Sequence, residues 1–359
     1  MTIIHSASRL AVLGLLLPLV GCAATASDAG DEAVGATSAA LAGDHYAFGY
    51  AWVNPGSAIS SAYSYNSGNG ANSYTGTNGV YTVTMGELGV QGGSVQVVSY
   101  GPAATRCKVA GWGPSGTSMI INVRCHDTSG AAVASPFVVF FNKGHVSAGG
   151  THAHLYYSGS SVPAAWSFNS TGATNGVTRT ALGRFTASLP GMPANAGIHV
   201  TAYGSDASHC KIVGWGGGSV NVRCQDNSGA LVDSAFVVNV FGTTARAFMV
   251  GGHAWVEGAS NVPAAYQFNQ NVYACGAPGS ISVSGFQNVT FPGTVPTSWA
   301  QQTTTMTTAY GDDPNFCKVQ YWTASGGDTM VKSICFLPNG TPTTGRFTTS
   351  LMGGWSAPC

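Results

Sequence analysis

Nine cysteines are the first chemistry the sequence offers. Six of them form three pairs in the same setting: Cys107 with Cys125, Cys210 with Cys224, and Cys317 with Cys335. The first member of each pair opens a Cys-Lys-Val or Cys-Lys-Ile run, and the second closes the next strand-like run. Thiols at a repeated spacing hold a metal or close a disulfide. Zinc sites built on cysteine commonly use a CxxC step, and the sequence contains none. Six cysteines in three like-spaced pairs are instead the arithmetic of a disulfide framework. Pairing within each copy is the simplest connectivity, because the two cysteines lie on successive strands across a Gly-rich turn such as Gly113-Pro114-Ser115-Gly116. Cys275 and Cys359 have no counterparts upstream and are expected to bridge each other. That leaves Cys22 unpaired.

The other reactive types are sparse. His152-Ala153-His154 sets two imidazoles on one face of a strand, since residues i and i+2 share a face. A metal would need a third ligand, usually acidic. The matching stretches read Tyr50-Ala51-Trp52 and His253-Ala254-Trp255, which makes this a slot for rings rather than a metal site. Asp127 and Asp226 open Asp-Thr-Ser-Gly and Asp-Asn-Ser-Gly, where a carboxylate caps a turn. Asp312-Asp313-Pro314 is a similar loop. No carboxylate pair recurs in the copies, and there is no Gly-x-Ser-x-Gly elbow, His-Glu-x-x-His or phosphate loop. No catalytic residue, metal ligand or cofactor is assigned.

The elements that hold these residues repeat. Arg106-Cys107-Lys108-Val109-Ala110-Gly111-Trp112 recurs as His209-Cys210-Lys211-Ile212-Val213-Gly214-Trp215, and again as Phe316-Cys317-Lys318-Val319-Gln320-Tyr321-Trp322. Upstream, Ala62-Tyr63-Ser64-Tyr65-Asn66 matches Ala165-Trp166-Ser167-Phe168-Asn169 and Ala265-Tyr266-Gln267-Phe268-Asn269. Downstream, Asn122-Val123-Arg124-Cys125-His126-Asp127 matches Asn221-Val222-Arg223-Cys224-Gln225-Asp226. Conserved order and spacing define three tandem units, residues 45–144, 145–246 and 247–359. The Tyr-Gly…Cys-Lys-Val…Trp…Val-Arg-Cys-x-Asp pattern resembles an uncharacterised tandem repeat of exported bacterial proteins. That resemblance implies no activity.

Within a unit the period is two. Tyr81-Thr82-Val83-Thr84-Met85 and Ile198-His199-Val200-Thr201-Ala202-Tyr203 alternate, as half-buried strands do. Phe137-Val138-Val139-Phe140-Phe141 is continuous and suits burial on both faces. Asn69-Gly70, Asn78-Gly79, Asn175-Gly176, Gly92-Gly93 and Asn339-Gly340 are turn signals. Seven or eight short strands per unit predict an all-β protein of three antiparallel β-sandwich or small-barrel domains, strung as independent beads. A six-bladed propeller, two blades per unit, is the alternative. It needs the halves of a unit to resemble each other, and they do not. The repeated Tyr100, Tyr203, Tyr310, Trp112, Trp215 and Trp322 are read as core rings, with a sugar-stacking platform as the other use of such positions. Lys108, Lys211 and Lys318 follow their cysteines directly, and the first two are expected to form surface pairs with Asp127 and Asp226.

Leu10 to Val20 is too short an apolar run to span a bilayer and suits a signal peptide, residues 1–21. It ends Leu19-Val20-Gly21-Cys22, which resembles the lipobox of bacterial lipoproteins. The resemblance implies lipidation of Cys22 and a bacterial membrane as anchor. Residues 22–44 are small and polar, as a flexible tether is. A net charge of zero with 7% charged residues leaves no footprint for nucleic acid. The expectation is a lipid-anchored, exported, non-enzymatic repeat protein of the cell envelope. It would serve as a binding, adhesion or spacer module for a polysaccharide or a cell-surface protein. The alternative is a secreted hydrolase with a dispersed site in the divergent third unit.

Overall fold

The computed structural model describes residues 47–144, 151–242, 250–269, 281–293 and 303–353. The expected signal peptide, Cys22 and the tether lie outside the described residues, as do Cys275 and Cys359.

Alternation in sequence becomes alternation in burial. Along Val80–Met85 the buried residues are Tyr81, Val83 and Met85, while Val80, Thr82 and Thr84 face outward. Ser118–His126 follows the same rule. The apolar run at the start of Phe137–Lys143 is buried on both faces. Among the described residues the chain is nearly all β, with three short 3-10 turns as its helical pieces.

Each repeat contributes two sheets of four strands, and in the third repeat one of them gains a fifth, Pro342–Thr343. In the first repeat one sheet runs Ser64–Asn66, Ala47–Val53, Phe137–Lys143, Ser94–Ser99. The other runs Arg106–Ser115, Ser118–His126, Val80–Met85, Asn72–Thr77. Their facing side chains, among them Val53, Val95, Phe137, Val83, Ile121 and Val123, form one core, so the repeat is a sandwich. The second and third repeats keep this order around cores of their own.

Disulfides join Cys107 to Cys125, Cys210 to Cys224 and Cys317 to Cys335. Each pair sits directly across a hairpin. A tight turn packs against two of them. Asn78 and Gly79 both have positive φ, the form that matches strand twist in a two-residue hairpin. Gly79 then lies so close to Cys125 that a Cβ would stand 2.5 Å from the Cys125 carbonyl oxygen. Asn175-Gly176 behaves differently from expectation: Gly176 begins a strand. The Asn175 amide instead donates to Ser167 Oγ and to the carbonyls of His154 and Phe168. A side chain that can brace three groups competes with the turn that Asn-Gly would otherwise make.

The sandwiches are not independent beads. Tyr203 pairs in parallel with Val109, Tyr310 with Ile212, and Tyr100 with Val319. At each place the next glycine donates to the facing carbonyl: Gly204 to Val109 at 2.9 Å, Gly311 to Ile212 at 2.9 Å, Gly101 to Val319 at 3.0 Å. Repeat 2 thus joins repeat 1, repeat 3 joins repeat 2, and repeat 1 joins repeat 3, which closes a ring. Ser94–Ser99, Gly197–Tyr203 and Thr303–Tyr310 all contact one another and form its centre. A shared core includes Phe48 and Phe140 from repeat 1, Phe241 from repeat 2, and Met306 and Met352 from repeat 3. The described body is one compact unit.

Candidate functional site: the axial pocket

Ring closure brings equivalent positions of the three copies together, so the three central strands enclose a pocket of about 70 Å³. The three disulfides contribute Cys107, Cys210 and Cys317 to its wall. So do the residues just before them: Arg106, His209 and Phe316. A strict three-fold would repeat one residue here. The protein places a cation, an imidazole and a phenyl ring instead.

These three touch. Arg106 Nη1 lies 3.2 Å from His209 Nδ1, and its guanidinium carbon sits 5.0 Å from the centre of the Phe316 ring. Arg106 Nη2 donates to the Asp127 carbonyl at 3.2 Å. Among the described residues its Nε has no partner, although the side chain is buried. Burial is the larger influence on its pKa, lowered to about 10, against the opposing pull of the more distant Asp127 and Asp226 carboxylates. His126, directly across the hairpin from Arg106, also lines the pocket. Its Nδ1 is 3.1 Å from the Gly130 carbonyl, and its Nε2 has no partner among the described residues. His209 is held neutral, well below the usual histidine range, by burial first and then by the cations around it.

The lysines after the cysteines are where the structure most corrects the sequence reading. They are buried and reach into the next repeat, not onto surface carboxylates of their own. Lys108 Nζ meets Asp206 Oδ1 at 2.6 Å and donates to Ser208 Oγ at 2.9 Å. Lys211 Nζ meets Asp313 Oδ1 at 2.9 Å and also bonds Asn315 Oδ1. Among the described residues, Lys318 Nζ finds the Ala103 carbonyl at 2.6 Å and Thr105 Oγ1 at 3.1 Å, with no carboxylate. Ala103 stands where the other junctions have Asp206 and Asp313. Burial lowers the Lys318 pKa to about 7 with no acid to oppose it. Asp127 and Asp226 do cap turns, each carboxylate accepting from the Ser two residues on and the Ala four residues on.

The repeated aromatic rings also cross between copies. Trp112 packs edge-to-face on Tyr156, Trp166 and Tyr203 of repeat 2. Trp215 meets Trp255, Tyr266 and Tyr310 of repeat 3. Trp322 meets Tyr63 and Tyr100 of repeat 1, and Trp52 joins that group through both. These quartets are buried or half-buried and cement the junctions.

Strand register corrects the alignment of the histidines. Tyr50 pairs with Tyr65, His154 with Phe168 and His253 with Phe268, so Tyr50, His154 and His253 share one slot. His152 belongs with Phe48, two residues earlier. His152 Nε2 lies 3.0 Å from the Asn142 amide and 3.1 Å from Asn239 Oδ1. Burial pushes the His152 pKa down to about 4. Both are packed neutral rings, and the described residues hold no cluster of metal-ligating side chains. No protein-family model, curated protein or solved structure matches the chain.

Proposed function

We propose that this is an exported, lipid-anchored protein of the bacterial cell envelope that binds rather than transforms its target. The observation that carries the reading is how its reactive side chains are used. Buried histidines such as His152 and His253 pack against rings, Asp127 and Asp226 cap turns, and Asp206 and Asp313 tie one repeat to the next. An acid or base spent in this way is not free to exchange protons with a substrate. The three disulfides accord with an oxidising compartment outside the cytoplasm. Lipidation at Cys22 would anchor the ring through residues 22–44. The tandem resemblance to exported bacterial repeat proteins fits the same location.

A polysaccharide or a second surface protein is the proposed partner. The test is a polysaccharide array probed with the full-length chain, followed by assay of each bound glycan for new reducing ends. Retention without cleavage supports a binding module. Release of reducing ends would establish the hydrolase instead.

A further inference from the structure

We propose that the outer face of repeat 3 binds an acidic polysaccharide, with Tyr321 stacking on the apolar face of a uronic-acid ring and Lys332 pairing with its carboxylate. The site rests on the reading that the partner is a polysaccharide, and names where it binds and what charge it carries.

One cross-strand row of the outer sheet sets repeat 3 apart. In repeat 1, Gly111 faces Asn122 and Asn122 faces Thr82. Repeat 2 has Gly214, Asn221 and Thr186 in the same row. In both, the threonine hydroxyl donates to the asparagine Oδ1 at 3.0 Å, so the polar side chains of the row satisfy each other. In repeat 3 the row reads Tyr321, Lys332 and Asn288. All three positions differ together.

The fold does not ask for a ring at this place. Glycine serves in two repeats. A Cβ on Gly214 would have Asn221 Nδ2 at 3.8 Å and the Tyr310 hydroxyl at 4.0 Å as its nearest neighbours, which is ordinary contact. Val319, just before the bulge, is buried, whereas Tyr321 is half-exposed. A bulge of this kind turns a side chain to a new direction. The Tyr321 ring is thus added to the surface rather than needed by the core.

Its neighbours on that face have changed as well. Along Asp328–Phe336, Met330, Lys332 and Ile334 are half-exposed, while Val331, Ser333 and Cys335 are buried. Ile334 stands where the other repeats have Arg124 and Arg223, two residues beyond the asparagine. Lys332 is therefore a single cation with Met330 and Ile334 on either side of it along the strand. Its Nζ lies 5.6 Å from the centre of the Tyr321 ring. Among the described residues it pairs with no carboxylate.

A cation set among apolar side chains and one aromatic ring suits a ligand that is both apolar and anionic. A uronic-acid pyranose is both. The C–H groups of one ring face pack on an aromatic ring, and the carboxylate at its edge accepts charge-assisted hydrogen bonds from an ammonium. A neutral sugar would bring Lys332 no counter-charge, and a bare anion would leave Tyr321 uncovered. Asn288, the third member of the row, adds an amide for the sugar hydroxyls.

The probes are short oligomers of galacturonate and of alginate, both uronates, and the methyl ester of the first, which is the same sugar without the charge. Each is titrated into the full-length chain in detergent solution by calorimetry. Expected are one site per chain for both uronates and a loss of about tenfold in affinity on esterification. Lys332→Asn should lose about as much toward the acid and nothing toward the ester. Tyr321→Gly should weaken both. The combined variant Tyr321→Gly, Lys332→Asn, Asn288→Thr copies the row of repeat 1, so it should keep the parent Tm while losing the site. Uronate binding unchanged in that variant, or no uronate binding by a chain that retains other glycans, would overturn the site and leave the polysaccharide reading standing. Equal affinity for acid and ester would overturn the acidic ligand. Failure to bind any glycan would overturn both and favour a surface protein as the partner.

Discussion

The junction between repeats 2 and 3 and the junction between repeats 3 and 1 share their backbone bridge and their aromatic quartet, yet differ in charge. At the first, Lys211 pairs with Asp313, while Arg184 and Arg223 both reach Asp312. At the second, Lys318 meets a carbonyl and a hydroxyl, and the described residues supply no carboxylate. The junction between repeats 1 and 2 lies between them, with Lys108 and Asp206. The parts common to all three are therefore the ones that close the ring. Ion pairs grade the strength of each seam on top of that closure. The seam that joins the last repeat to the first is the one left without them.

The largest effects should come from substitutions in what the junctions share. Trp322→Ala and Trp215→Ala should each cost about 3 kcal/mol, since both empty a ring quartet. Chemical denaturation would measure this, and a large difference between the two would show that charge matters more to closure than packing does.

Removing the lysines should separate the seams by sign. Lys211→Met strips Asp313 and Asn315 of their partner and should destabilise by about 1–3 kcal/mol. Lys318→Met removes a buried cation that has no acid and should be neutral or stabilising. Equal losses in both melts would contradict this.

A smaller effect runs the other way. Ala103 is exposed at the position that holds Asp206 and Asp313 elsewhere. Ala103→Asp would give Lys318 its missing partner and should stabilise by about 1 kcal/mol, a rise of a few degrees in Tm.

The same lysine predicts a pH dependence. An unfolded lysine titrates near 10.4. Lys318 titrates at about 7 in the fold. Between these values the unfolded chain holds more protons, so stability should rise with pH above about 7. Lys211, lowered to about 8, adds its share only above that. The slope between pH 7 and pH 8, followed by urea midpoints, should shrink in Lys318→Met and, by less, in Ala103→Asp.

Much of this was legible in the chain. A period of two in Val80–Met85 gave buried Tyr81, Val83 and Met85. Repetition paired the cysteines, because both partners lie on adjacent strands and their approach is a local matter. The turn-capping role of Asp127 followed from the Ser and Gly beside it. What failed to show were partners chosen across repeats. Lys108 looked like the mate of Asp127 because both sit on one hairpin, while its true mate Asp206 lies 98 residues away. The slip of His152 against His154 has a different cause. A two-residue shift keeps every side chain on its face, so alternation alone cannot detect it.

The strands, a sandwich or small barrel for each repeat and the three repeated disulfides could be read from the chain, because all depend on neighbours within about a hundred residues. That the sandwiches close on one another is a property of the folded chain alone. An open string and a ring use the same period, the same turns and the same local cores. They differ in where Tyr100, Tyr203 and Tyr310 find a partner. Closure then set Arg106, His209 and Phe316 against one another. Three unlike residues at like positions carry no visible relation along the chain, and become a site because the ring's axis is the one place where equivalent positions meet.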